Sequence, residues 1–533
     1  MKKRNLFHHA GTTVALMIGA TAVSKVLGML RQMMTASIFA ASMEGIAFSA
    51  ASGIPLAIFD MLFSAAVLGS FLPIYKGHLG SDQKRAVLFS SSFFTCILWI
   101  TAAVSVIGIV LARPIIRLSA PELDEETFRL AVVLLRIMFP SMIFAGTAYT
   151  LVGILQSHDR FLLPSLVSAV SNLILILYLA FCSEPIGATS AVGFAFAYVL
   201  SWMAQFLTLA VPLWRAQAFP RLTRRCKTED TVLSVKRALP VMCGSWLIPT
   251  TTLIAKSFSS YVNPQQIAEG VYTGAAIVIF EHAFSVFSVA AGLLTYGVCN
   301  YIFPKLSARV ASGDIQSFTR LLKSGFFISF VMILPVSGAL FLLSQEIVNV
   351  LYLRGGFTEG LAFAAGDSLK MLALALPAYG MTEFFSRACY ACGKVRYPMW
   401  ASVAGISVAL MSCGLLVMTE RISVRTVSLS VALAQTVAGV FLLICSCCLF
   451  AHRDITVSNG KKYAFLLVGN VLCFAVMRLC RDFLRQIFHF SQLFRDFLMI
   501  AIVFAVGFVV YSIWMILMNV VCKCNLRTEY KNL

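Results

Sequence analysis

The sequence predicts an all-α polytopic membrane protein of about fourteen transmembrane helices, arranged as two six-helix lobes related by a parallel repeat plus two C-terminal helices. Three observations carry this reading. The 533 residues are 59% hydrophobic and only 12% charged, where an ordinary soluble domain carries roughly 25% charged residues. Apolar stretches of about 20 residues or more recur along almost the whole chain, each long enough to cross a hydrocarbon core of roughly 30 Å. Short strings near two of these stretches return in the second half of the chain at nearly one offset.

Taken in order, the first span is placed near 13 to 38. It follows Lys2, Lys3 and Arg4 and imitates a signal peptide ending at Ala20-Thr21-Ala22, but its apolar pattern continues to about Ala40, so it is read as a retained helix. Spans near 46 to 72, 86 to 111, 130 to 155, 162 to 182 and 188 to 214 complete an N-terminal lobe over 1–214. A basic linker, 215–237, contains Pro220 and seven Lys and Arg residues. The C-terminal lobe, 238–450, holds spans near 238 to 259, 271 to 303, 324 to 351, 361 to 391, 399 to 418 and 426 to 450. Two extra helices, near 463 to 481 and 497 to 521, and a tail occupy 451–533.

Fourteen spans place both termini on one side, and the basic residues say which, because cytoplasmic loops retain Lys and Arg. With the N-terminus inside, cytoplasmic segments hold 26 of the 42 Lys and Arg residues and outward segments hold ten. The expected location is therefore a bacterial inner membrane, multi-pass, with both termini cytoplasmic. This distribution also accounts for most of the net charge of +19 without nucleic acid as a partner.

The repeat rests on two pairs of strings. Phe71-Leu72-Pro73 followed by Gly80-Ser81-Asp82 returns as Ile302-Phe303-Pro304 followed by Ser312-Gly313-Asp314, and the turn Arg160 to Pro164 returns as Arg396-Tyr397-Pro398. Six spans separate the copies, so the halves share one orientation. Parallel repeats of this kind flank a central cleft, and alternating access follows from the symmetry.

Ionisable side chains inside spans cost several kcal/mol unless they meet a partner or a cavity. Asp367 with Lys370 and Glu383 with Arg387 are spaced to neutralise one another on a helix face, and Arg136, near a helix end, reaches the interface. Lys25, Arg31 and Lys256 have no such partner within sequence reach; they fall on the first and seventh spans, equivalent helices of the two lobes, and predict a cationic cleft. Asp60 has two readings, a structural pair with Lys25 or Arg31 and a carrier of a coupling proton. His282, beside Glu281, reads either as a protonation site or as a hydrogen-bonded packing residue.

Among the 15 cysteines no CxxC pair has a second pair or a His at zinc-ligand spacing, and many sit inside apolar runs, so they read as small buried hydrophobes. No metal or cofactor is expected. There is no GxxxxGK[ST] loop, HExxH helix or GxSxG elbow to carry hydrolysis or ATP-driven transport, so the chain is not read as an enzyme. Energy for transport is expected from an ion gradient or the membrane potential.

Several motifs carry a family resemblance. Ser24-Lys25-Val26-Leu27-Gly28-Met29-Leu30-Arg31 resembles the first-helix S-R-x-L-G-x-x-R signature of the MurJ (MviN) family of lipid II flippases, with Lys at the first Arg position. Phe139-Pro140, Gly153-Ile154-Leu155-Gln156, Arg160 to Pro164 and Asn172 are similar to that family's fourth and fifth helices. Leu353-Arg354-Gly355-Gly356-Phe357-Thr358 resembles its R-G-x-F-T loop, and Ser386 to Pro398 its R-A-F-Y-A stretch. The likeness runs from about residue 12 to 400.

It implies two six-helix lobes, a cationic central cavity, and two extra helices forming a groove for a long lipid tail. It further implies translocation of undecaprenyl-pyrophosphate-linked disaccharide-pentapeptide (lipid II) for peptidoglycan synthesis and cell shape, with cell-wall synthesis proteins and a coupling ion as partners. Lys25, Arg31 and Lys256 would bind the anionic head group, and Asp60, Glu281, His282 and Arg354 would serve gating or coupling. The chain departs from the family pattern at Ile46, at Phe59-Asp60, and at Ser285 and Ser288, with Glu281 and His282 a turn earlier. Rival readings are a flippase for another polyprenyl-linked oligosaccharide, a cation-coupled drug antiporter of the same fold, and a membrane scaffold recruiting partners through 215–237.

Overall fold

The computed structural model describes residues 2–64, 71–158, 160–182, 187–224, 228–267, 272–450, 460–488 and 490–521; side chains before Gly19 lie outside this description. Arg225 and Lys227 of the linker, the stretch 451–459 with Arg453, and the tail with Lys523, Arg527 and Lys531 fall outside it as well. The described residues contain helices and turns and no strand. That is the outcome hydrocarbon demands, since a helix pairs its backbone N–H and C=O groups within the segment.

The chain divides into two units, residues 1–249 with 272–278, and residues 250–271 with 279–533. The first unit contains α1 (Lys2–Ile38), α2 (Met43–Phe59), α3 (Leu72–Ser81), α4 (Gln83–Val110), α5 (Ala112–Ser119), α6 (Glu125–Met138), α7 (Ser141–Ser157), α8 (Leu162–Phe181), α9 (Ala188–Arg215) and α10 (Glu229–Ser245). Two helices, α11 (Leu247–Ser259) and α12 (Ala275–Ala311), begin in the first unit and continue in the second. The second unit then holds α13 (Ile315–Leu342), α14 (Ser344–Tyr352), α15 (Glu359–Ala373), α16 (Leu376–Ala391), α17 (Arg396–Met418), α18 (Val424–Phe450), α19 (Gly460–Ile487) and α20 (Gln492–Val521).

Each of the fourteen expected spans falls on a helix or a consecutive helix pair. Length and apolarity nevertheless qualify 11 of them among the described residues, or 12 when α15 and α16, bent by 44°, count as one crossing. The described residues thus recover up to twelve of the fourteen expected spans. The seventh span is interrupted at Trp246, leaving α10 with four charged residues in its first half and α11 with 13 residues, which at 1.5 Å per residue reaches only about 20 Å. The first span, in α1, begins before Gly19, outside the described side chains.

The repeat appears as matching helix pairings inside each unit. In the first, α8 packs on α9, α9 on α7 and α6, and α4 on α7; in the second, α17 packs on α18, α18 on α16 and α15, and α13 on α16. The repeated Asp residues do the same local work. Asp82 caps α4 by accepting from the amides of Lys84 at 3.0 Å and Arg85 at 3.2 Å, and Asp314 caps α13 by accepting from Ser317 at 3.1 Å. The repeated prolines, Pro164 and Pro398, are each the third residue of their helix, where no intrahelical bond to a backbone N–H is lost.

Small residues permit close helix approach, as membrane interfaces require. At Gly193 an added Cβ would lie 2.2 Å from the Tyr178 hydroxyl, which donates to the Ser190 carbonyl at 2.8 Å and so ties α8 to α9. The two C-terminal helices pack together and against α13 and α14. Tyr511 donates to the Val331 carbonyl at 2.7 Å and Arg481 to that of Leu342 at 2.8 Å. Among the described cysteines, all free thiols, Cys299, Cys389, Cys413 and Cys473 are buried as expected of small core residues, whereas Cys243 is half-buried and Cys182 and Cys448 are exposed.

Candidate functional site

In the first unit the α1 motif divides its labour. Ser24 donates to the Ser165 carbonyl, Asn172 donates to the Ser24 carbonyl, both at 3.2 Å, and a Cβ at Gly28 would stand 3.3 Å from the Asn172 amide. These three residues weld α1 to α8. Arg31 continues the Ser24 and Gly28 stripe by helical spacing, whereas Lys25 is rotated from Ser24 by about 100°. Both cations are half-buried, yet they occupy different faces of one helix. Asp60, also half-buried, opens a single π-helical turn, Asp60–Ser64, that continues α2. Such turns release a carbonyl from the regular ladder; the Trp246 indole donates to that of Met61 at 2.8 Å.

In the second unit Lys256, 5% exposed on α11, places its ammonium 3.1 Å from Glu281 Oε2 on α12. The partner lies 25 positions away, beyond the spacing that sequence periodicity can pair. The expectation that Lys256 lacks a local partner holds along the helix and is answered by the tertiary fold. Next to Glu281, His282 is 3% exposed, with its ring 4.8 Å from that of Tyr352 and 5.6 Å, edge-on, from that of Phe357. Tyr352 also donates to the His282 carbonyl at 3.4 Å.

Phe357 comes from the Arg354 to Thr358 loop, and that explains the motif. Gly355 has φ +59°, a left-handed conformation glycine adopts without penalty, and the turn delivers Phe357 into the interior at 1% exposure. Arg354 is exposed and its guanidinium donates back to the Val350 carbonyl. Lys256, Glu281, His282 and the loop therefore meet in the second unit, while Lys25, Arg31 and Asp60 belong to the first. Glu383 and Arg387 pair on one helix turn as their spacing predicts. Lys370 instead rests over the Phe341 ring at 5.2 Å.

A further polar cluster had no sequence signal. Glu346, with its side chain 1% exposed, binds Arg485 at 2.5 Å, and Asp496, 2% exposed, accepts from Asn349 at 2.7 Å and faces Arg495 at 3.4 Å. Arg485 and Arg495 are among the ten basic residues that the sequence places in outward segments. Among the described residues, no three His, Cys, Asp or Glu side chains are grouped so as to hold a metal ion.

A family model described as "Lipid II flippase MurJ" matches residues 35–518. The chain is 27% identical over 402 residues to the probable lipid II flippase MurJ of Bdellovibrio bacteriovorus, covering 74% of this chain and 72% of that one. It is 26% identical over 368 residues to the lipid II flippase MurJ of Burkholderia cenocepacia, covering 68% of each. Among solved structures, "Lipid II flippase MurJ, inward closed conformation" superposes with a TM-score of 0.76 at 18% identity, covering 95% of this chain and 99% of that chain. An inward-facing MATE transporter of the MOP superfamily superposes at 0.65 with 14% identity, covering 83% and 100%; both likenesses speak to the fold. The family match begins just after the first-helix motif and runs into the last helix, and the chain belongs to the MurJ family of lipid II flippases.

Proposed function

We propose that this protein moves undecaprenyl-pyrophosphate-linked disaccharide-pentapeptide from the cytoplasmic to the outer leaflet of the bacterial inner membrane by alternating access, supplying peptidoglycan synthesis. The observation that carries this reading is the family match over residues 35–518. The half-buried cations of α1 fit the cargo chemically, because a pyrophosphate offers oxygens that Arg31 can grip through paired hydrogen bonds and Lys25 can attract as a point charge.

Lys256 acts as the third head-group cation when its bond to Glu281 opens, so that the carboxylate holds the charge in the unloaded protein. His282, clamped under Phe357 and Tyr352, connects that pair to the Arg354 loop and makes the loop a gating element. Asp60, on the π-helical turn of α2, carries the coupling proton or pairs with the α1 cations. Each charge moved with the membrane potential supplies about 2.3 kcal/mol per 100 mV. Both termini are cytoplasmic, and cell-wall synthases receive the product.

The test is depletion of the protein in its host with lipid II quantified in each leaflet. Accumulation on the inner face supports the reading, and undiminished arrival outside overturns it. Arg31→Ala is expected to abolish complementation at unchanged membrane abundance; normal growth removes Arg31 from the head-group site.

A further inference from the structure

A second anion site lies in the first unit, away from the residues just assigned to the cargo. A cavity of about 670 Å³ opens where the ends of α7 and α9 meet the starts of α3 and α4. Arg160 and Arg221 line it together with His158, and none of the described lining residues is Asp or Glu. Tyr75 and Ser90, 4% and 5% exposed, form its buried polar floor, and the Tyr75 hydroxyl lies 3.5 Å from His158 Nε2. Val87, Leu213 and Phe219 add apolar wall.

The cavity is built rather than left between loose loops. The backbone amides of Arg221 and Thr223 donate to Ser91 Oγ at 3.0 Å and Thr95 Oγ1 at 3.2 Å, which straps the linker across α4 and sets Arg221 at the rim. Gln217, just past the end of α9, has φ +53°. Glycine is usual at this left-handed position, and here a strained non-glycine residue lines the cavity.

From this arrangement we infer that the cavity binds a phosphate group, held by the Arg160 and Arg221 guanidiniums and the neutral donors of its wall. Arginine's planar fork matches two phosphate oxygens at once, and the described lining residues include no carboxylate to compete for it. Charge distribution along the chain puts this end of the unit at the cytoplasmic surface. The phosphate is carried either by an anionic lipid head group or by a soluble phosphate compound. Lys25, Arg31 and Asp60 are not among the lining residues, so the inference stands apart from the flipping mechanism.

The experiment is arginine footprinting with phenylglyoxal on the full-length protein, read by peptide mass spectrometry. Nanodiscs of phosphatidylglycerol are compared with nanodiscs of zwitterionic phosphatidylcholine, the latter with and without inorganic phosphate. Protection of Arg160 and Arg221 in phosphatidylglycerol alone identifies a lipid head group. Protection by phosphate in phosphatidylcholine identifies a soluble source. Labelling that matches exposed Arg309 under every condition overturns the site. In native mass spectrometry, Arg160→Gln with Arg221→Gln is expected to lose about tenfold in retained phosphatidylglycerol or phosphate, the loss of two charge-assisted contacts. Arg320→Gln with Lys323→Gln, on the first turns of α13 in the second unit, is the control. An equal loss in both variants means general surface attraction and also overturns the proposal.

Discussion

At the scale of single residues, buried charge is tolerated where tertiary structure supplies its complement. Lys256 is 5% exposed in an apolar helix and is matched by Glu281 at 3.1 Å. Removing one partner leaves an uncompensated buried charge, so Glu281→Ala is expected to destabilise by about 3 kcal/mol, whereas Lys256→Met with Glu281→Leu recovers most of that loss. Thermal unfolding in detergent checks this, and a double variant as unstable as the single one refutes the pairing. Asp230 makes a second test. Its carboxyl accepts both Arg85 bonds, at 2.9 and 3.1 Å, and Arg85 holds it below the usual carboxylate range, with His78 at 3.2 Å adding to the effect. A depressed native pKa contributes stability that is complete above the unfolded value of about 4 and is lost as pH falls through the native one. The hydrogen-exchange protection factor at the start of α10 is therefore expected to fall below about pH 4 and to be independent of pH in Asp230→Asn.

At the scale of helices, the repeated motifs are instructions for ends and contacts. Asp82 and Asp314 cap equivalent helices, so Ala at either position is expected to cost about 1 kcal/mol, with similar values for the two. The Gly469 interface is less forgiving. A Cβ there would approach the Trp514 indole nitrogen to 1.9 Å, and this indole donates to the Phe465 carbonyl at 3.0 Å and stacks on its ring at 4.5 Å. Gly469→Ala is expected to destabilise the α19 and α20 pair by about 1–3 kcal/mol through overpacking. Protease resistance of the C-terminal pair is the measurement, and wild-type resistance contradicts the packing described.

At the scale of the molecule, helix order was legible because a hydrocarbon solvent leaves so few ways to bury a backbone. The positive residues predict both termini inside, so a C-terminal fluorescent protein fusion is expected to shine and an alkaline phosphatase fusion to stay inactive. The reverse pattern would overturn the topology. The C-terminal helices are fastened to α14 by Glu346 with Arg485 and by Asn349 with Asp496. Those partners are 139 and 147 positions apart, and no periodicity links them.

Hydrophobic run length, the Lys and Arg bias and the two repeated strings determined the membrane class, the helix order and the doubled pairing pattern. Each is a local or statistical property that the solvent enforces regardless of distant contacts. The first-helix and R-G-G-F-T motifs likewise pointed to the family. Only the tertiary structure decided that Ser24 and Gly28 grip Asn172, that Lys256 answers to Glu281, that Phe357 covers His282, and that the seventh span breaks at Trp246. Those outcomes depend on side chains from different helices meeting at 3 to 6 Å, and such distances arise only when the helices pack.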